Sequence, residues 1–133
     1  MVLTISSEAE FEKILKESAK NWKLLIVDFF TTWCAPCVQF SPEFDRIANE
    51  FQNDAIFVKV DCEKLQNLAV SNKIKIIPTI KGYFNMQEAF SLSGSVGFIN
   101  LIISYLLILS ISAYFDLFKI INVRNFNILI DDF

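Results

Sequence analysis

At 133 residues the chain has the length of one domain able to bury an ordinary core, and its net charge of −3 comes without any run of Lys or Arg. Without such a run there is no phosphate-binding stripe, which argues against nucleic acid as a partner. The chain contains no histidine, which removes the commonest general base and metal ligand and leaves acid–base work to carboxylates, lysines or thiols.

The opening MVLTISSEAEFEKIL lacks a basic stub followed by an apolar run, and it is acidic where transit peptides are Arg-rich. Neither a secretory signal nor a transit peptide is expected. Val2 to Ile5 alternates as a short strand does. Ser7 stands three residues before Glu10, a capping-box spacing, and Phe11, Ile14 and Leu15 follow at helical intervals. Leu24 to Phe30 (LLIVDFF) and Ala55 to Asp61 (AIFVKVD) are apolar runs of the kind found in central strands covered on both faces. Between them, Pro36 to Phe51 carries Phe40, Phe44, Ile47, Ala48 and Phe51 on one helical stripe, which predicts a parallel crossover unit. A further helix is expected over Glu63 to Asn72, with Leu65, Leu68 and Ala69 on its buried side. IKIIPTIKGYF then reads as an extended segment broken by Pro78, and AFSLSG as a last strand. The fold class is α/β, with a central mixed sheet and helices on both faces.

FFTTWCAPCVQF, from Phe29 to Phe40, holds the chemistry. Cys34 falls at the start of the helix, where unpaired backbone N–H groups and the helix dipole favour a thiolate. A lowered thiol pKa makes it a nucleophile near neutrality. Pro36 suits a first helical turn because its missing N–H would be unpaired anyway. Cys37, one turn further in, is placed to attack a mixed disulfide formed at Cys34, the minimal disulfide-exchange cycle. A zinc site would need four ligands, and only Cys62 remains; no metal and no cofactor is expected. Two inert core cysteines are the other alternative, for which an Ala-Pro insert at a helix start is a poor setting. Asp28 interrupts an apolar strand, where burial would raise its pKa and suit it to carrying protons for Cys37, directly or through a water. Three cysteines are too few for a secreted disulfide scaffold, so the reducing cytosol is the expected compartment. Cys62 reads as a small semi-buried residue.

VDFFTTWCAPC resembles the active-site signature of the thioredoxin family, and FVKVDCEKLQNLA and KIIPTI resemble the segments that follow in that family. The resemblance spans residues 1–96 and implies a thioredoxin fold. It implies Cys34 as attacking thiol, Cys37 as resolving thiol and Asp28 as buried proton carrier, with Lys59 as the neighbour of that carboxylate. Pro78 would be a cis-proline facing the disulfide, and Trp33, Ala35, Pro36, Ile77 and Gly94 would border the groove where an extended substrate segment docks. The activity implied is a protein-disulfide reductase acting on disulfide-containing proteins and recharged by thioredoxin reductase. The thioredoxin family is itself a standard example of a low-pKa cysteine in a redox pair.

The chain departs from the family pattern in several places. Ala35 replaces a commoner glycine, and Val38 stands where a basic residue is usual. The hairpin turns on Asn85-Met86, although Met tolerates positive φ poorly. Gly82 falls inside a strand where an apolar side chain is expected. From Gly97 the match is lost, and Ala89 to Phe115 carries no charge. Residues 97–133 therefore form a divergent hydrophobic segment that replaces or extends the last helix. Three accounts of it compete: a membrane anchor through residues 97–118, a longer last helix that folds back, or translated sequence never selected to fold. Its bias toward Ile, Leu, Phe, Asn and Tyr favours the third. A membrane-held binding module is accordingly the alternative to the enzyme.

Overall fold

The computed structural model of the protein describes residues 2–94 and the single position Ser104. The elements in chain order are β1 (Leu3–Thr4), α1 (Glu8–Lys20), β2 (Leu24–Phe30), α2 (Ala35–Glu50), β3 (Ala55–Asp61), α3 (Gln66–Ser71), β4 (Thr79–Phe84) and β5 (Gln87–Ser93). The expected alternation of strands and helices is present throughout. The strands form one sheet in the order β1-β3-β2-β4-β5. β1, β3 and β2 run parallel, whereas β4 and β5 are antiparallel to their neighbours. This is the mixed sheet expected, with β2 at its centre.

Residues on β2 alternate between two cores because successive side chains leave a strand on opposite faces. Leu24 and Ile26 meet Phe40, Phe44, Ile47 and Ala48 of α2 and its C-cap Phe51, the whole stripe read from the sequence. Leu25, Val27 and Phe29 meet Phe11, Leu68 and Tyr83 on the other face. The Phe11 ring meets the Tyr83 ring edge-on at 5.8 Å. Asp28 follows Leu24 and Ile26 in the alternation and so faces α2.

Ser7 caps α1 by accepting from the Glu10 N–H at 3.1 Å. Glu10 returns the bond one residue further out than a capping box requires, accepting from the N–H and hydroxyl of Ser6 at 2.7 Å. The third helix is shorter than expected. Asp61 accepts from the N–H of Glu63 at 3.0 Å and of Lys64 at 3.4 Å, which holds residues 62–64 in a turn and delays the helix to Gln66. β4 starts at Thr79, directly after the cis Ile77–Pro78 peptide that breaks the extended segment, and β5 begins at Gln87, two residues earlier than the AFSLSG strand expected. Asn85 and Met86 both take positive φ, 49° and 64°, so the hairpin turn forms despite its methionine.

The boundary at residue 96, the divergent segment 97–133 and the anchor expected over 97–118 lie outside the described residues, Ser104 apart. Among the described residues, no helix is long and apolar enough to cross a membrane.

Candidate active site

Cys34 occupies the N-cap of α2 in an extended conformation (φ −81°, ψ 107°), with Pro36 in the first turn. The Cys37 N–H donates to the Cys34 sulfur at 3.3 Å. A helix start leaves such N–H groups without backbone partners, so a sulfur held there meets donors and the positive end of the dipole. Once the disulfide is opened, this setting favours a thiolate at Cys34. The two sulfurs are joined as a disulfide, with an S–S distance of 2.28 Å and a Cα–Cα distance of 5.2 Å. Cys34 keeps slightly more exposure than Cys37, 6% against 2%. The slightly more exposed residue of the pair is thus the one at the helix start.

The residues expected to border a docking groove occupy varied positions. Trp33 is strongly exposed, at 71%, and Ala35 and Pro36 are also exposed. Ile77 is half-buried, and Pro78 is buried behind the expected cis bond. The Gly94 N–H donates to the Pro78 carbonyl at 3.1 Å, which ties the end of β5 to the start of β4. Gly94 takes a φ of 101°, a conformation that side chains rarely adopt, while open space surrounds the position a Cβ would fill. The glycine therefore answers a backbone need. Ile76, exposed at 57%, adds an apolar side chain that the sequence reading did not single out.

Behind the disulfide, Asp28 is almost fully buried, and its Oδ1 has no hydrogen-bond partner. Burial pushes this carboxyl up to about 7; Lys59 draws it down and Asp45 pushes it further up. A cavity of about 970 Å³ between β1, the end of β2 and α2 has Asp28, Cys37, Ser41, Asp45 and Lys59 on its wall. The carboxyl and the inner cysteine thus share one space. A group titrating near neutrality beside a thiol is suited to exchange protons with it.

Lys59 lies opposite Asp28 in the β2–β3 register. Its ammonium, however, turns to α2. It donates to the Ser41 hydroxyl at 2.7 Å and lies 2.8 Å from Asp45 Oδ1, a charge pair without hydrogen-bond alignment. It also stands 5.8 Å from the centre of the Phe44 ring. Among the described residues it makes no ion pair with Asp28. Ser41 and Asp45 were missed by the sequence reading. The available signal was their spacing from Cys37, four and eight residues on, which puts all three along one line of α2. Among the described residues no group of His, Cys, Asp and Glu side chains could hold a metal ion.

Comparison with known proteins agrees with this geometry. The thioredoxin family model matches residues 2–103. Thioredoxin-1 of Schizosaccharomyces pombe is 34% identical over 95 residues, covering 71% of this chain and 87% of that protein. Thioredoxin of Gallus gallus is also 34% identical over 95 residues, covering 71% and 88% respectively. The solved structure of Plasmodium falciparum thioredoxin superposes with a TM-score of 0.70 at 28% identity, covering 79% of this chain and 96% of that one. With a cysteine pair at the start of α2, joined as a disulfide on a matching fold, this chain belongs to the thioredoxin family and is a thiol–disulfide oxidoreductase.

Proposed function

We propose that Cys34 is the attacking thiol, Cys37 the resolving thiol and Asp28 the proton carrier of a protein-disulfide reductase. Cys34 thiolate attacks one sulfur of a substrate disulfide, forming a Cys34–substrate disulfide and expelling the other substrate sulfur as a thiolate, which takes a proton from the surroundings. Asp28 carboxylate accepts the Cys37 proton as the Cys37 sulfur attacks Cys34. That step forms the Cys34–Cys37 disulfide and releases the second substrate thiolate, to which Asp28 or solvent returns a proton. Two electrons have then passed from the dithiol to the substrate.

The observation that carries this reading is the shared cavity: Asp28, unpartnered at Oδ1, lines the same space as the inner cysteine. Lys59 serves as the cation that limits how far burial can hold the carboxyl protonated. Exposed Trp33, Ala35 and Pro36, with Ile77, Pro78 and Gly94, form the surface on which an extended segment of a disulfide-containing protein docks. Membership of the family implies a reductase partner in general; thioredoxin reductase is the specific partner proposed. A reducing, cytosolic setting belongs to the same reading, since it keeps the dithiol charged.

The test is insulin-disulfide reduction with a small dithiol as electron source. Wild-type protein should accelerate it. Cys34→Ser should abolish turnover, and Cys37→Ser should accumulate mixed disulfides that a non-reducing gel resolves. A wild-type rate equal to the uncatalysed background would end the reading.

A further inference from the structure

The register sets Lys59 beside Asp28, yet the ammonium has three partners on α2: Ser41, Asp45 and the face of Phe44. The choice has a physical cause. The Asp45 side chain is about a third exposed, at 31%, and keeps contact with water, whereas Asp28 is desolvated. A buried lysine gains more from a carboxylate that is already ionised than from one that must first be charged in a dry site.

We propose that Asp45, with Ser41, is a positioning residue that anchors the Lys59 ammonium to α2 and so keeps Asp28 out of an ion pair, free to exchange its proton with Cys37. The proposal deepens the reading of Asp28 as proton carrier and rests on it. Cys37, Ser41 and Asp45 follow one another at intervals of four on α2. A single helix line therefore presents the resolving thiol and both anchors to the cavity.

The charged and titratable groups around Asp28 are few. β3 contributes Lys59 and, two residues on along the same face, buried Asp61, whose Oδ1 is taken by the N–H groups of Glu63 and Lys64. Cys62 lies just beyond that strand, and α2 contributes Cys37 and Asp45. β4 places Ile80 opposite Asp28, and Val2 lines the cavity with Leu3 and Thr4 of β1, none of which titrates. Removing Asp45 should let the ammonium swing toward Asp28, which lies opposite it in the β2–β3 register, and stabilise its charged form, because Asp61 is held by the N–H groups of the following turn.

The experiment is a carbon-13 carboxyl NMR titration of the oxidised full chain, with Asp28 assigned by its loss in Asp28→Asn. Asp45→Ala should lower the Asp28 midpoint by about one pH unit, the lower end of what a nearby cation does to a carboxylate. Asp45 also carries a charge of its own, so the deciding measurement is a double-mutant cycle with Lys59→Met. A shift that shrinks to less than about half in the Lys59→Met background supports positioning through the lysine. An equal shift in both backgrounds means that Asp45 acts as a plain charge, and no shift means that it does not act; either overturns the proposal. Asp45→Asn, equal in size to aspartate, takes the place of the alanine if that variant fails to fold. Because the titration uses the oxidised protein and no substrate, a wild-type chain that fails to reduce insulin would sink the functional reading while leaving this result interpretable.

Discussion

The Phe90 ring fills the space that a side chain at Gly82 would occupy: a Cβ on Gly82 would lie 2.1 Å from Cε1 of Phe90. The two residues face each other in the β4–β5 pair, and the register slips by one residue between Gly82 and Tyr83. A glycine that looked out of place inside a strand is therefore half of a packing pair, its missing side chain supplied from across the sheet. Phe90 in turn joins the core built on α2.

Gly82→Ala should destabilise the protein by about 3 kcal/mol, because extra volume in a packed core forces rings off their rotamers. Chemical denaturation would measure the loss as a lower midpoint. Replacing Phe90 by Leu in the Gly82→Ala background should recover part of that loss, while the same replacement alone should destabilise. If Gly82→Ala melts like the wild type, the strand can absorb the methyl group by a backbone shift and the pairing is not tight.

Much of this architecture was legible from residue pattern alone, because it depends on periodicity. The Phe40–Phe51 stripe and the runs Leu24–Phe30 and Ala55–Asp61 announce which face is buried without knowledge of any partner. The cysteine pair was legible for a similar reason: helix-start chemistry is local. The misses depend on side chains choosing between competitors. Asp61 could leave the helix to begin at Glu63 or bind two N–H groups and delay it; it does the second. Lys59 could pair with Asp28 or with Asp45, and the decision rests on how well each carboxylate is solvated, which a linear sequence does not display. Phe90 and Gly82 are eight residues apart in strands whose register includes a bulge, so their contact was not readable by counting.

Burial of Asp28 has a consequence for stability as well as for catalysis. Its carboxyl sits near 7 in the folded chain against an ordinary 3.8 when exposed. Between those values the folded form binds the proton that the unfolded form has lost, so Asp28 makes stability fall as pH rises from about 4 to about 7. At about 1.4 kcal/mol per pH unit, the full effect is on the order of 4 kcal/mol. Asp28→Asn removes the titration, so its stability relative to wild type should improve by about this amount between pH 4 and pH 8. Thermal melts across that range measure the difference, and parallel pH curves for the two proteins would refute it. The same variant should slow release of the mixed disulfide at pH 7 by about 100-fold, the lower end for a positioned proton carrier.

Among the described residues Trp22, Lys73, Asn85 and Met86 hold side chains in the left-handed region where glycine is the unstrained choice. Lys73, which ends a helix, and Met86, which completes a hairpin turn, lack asparagine's tolerance for it. Lys73 (φ 56°) ends α3, where its N–H bonds the Val70 carbonyl and the Ile74 N–H bonds that of Ala69, the paired bonds of a Schellman ending. Met86 (φ 64°) occupies the second central position of the β4–β5 turn, half exposed. A side chain in this conformation costs about 1–2 kcal/mol, against which glycine's larger entropy loss offsets about half. Lys73→Gly and Met86→Gly should therefore each stabilise by about 1 kcal/mol, a rise in Tm of about 4 °C. The two should add, since they belong to different turns. A fall in Tm for Met86→Gly would mean that the methionine packs well enough to outweigh its backbone.

Cys62 follows β3 on a chain whose N–H donates to the Phe30 carbonyl at 2.8 Å. Burial pushes its thiol up to about 11, helped by the negative charges of Asp61 and Asp28. Only the thiolate reacts with iodoacetamide, and at pH 8 that form is scarcer than in free cysteine, whose pKa is about 8.5, by a factor on the order of 100. In the oxidised protein, where Cys34 and Cys37 are joined, alkylation followed by mass spectrometry reads Cys62 alone. It should be slower than free cysteine by about that factor, and the difference should vanish in denaturant. After reduction, Cys34 at the helix start should label first and Cys62 last. A Cys62 rate within about threefold of free cysteine would contradict the burial assigned to it and make this thiol a competitor of Cys34 for oxidants.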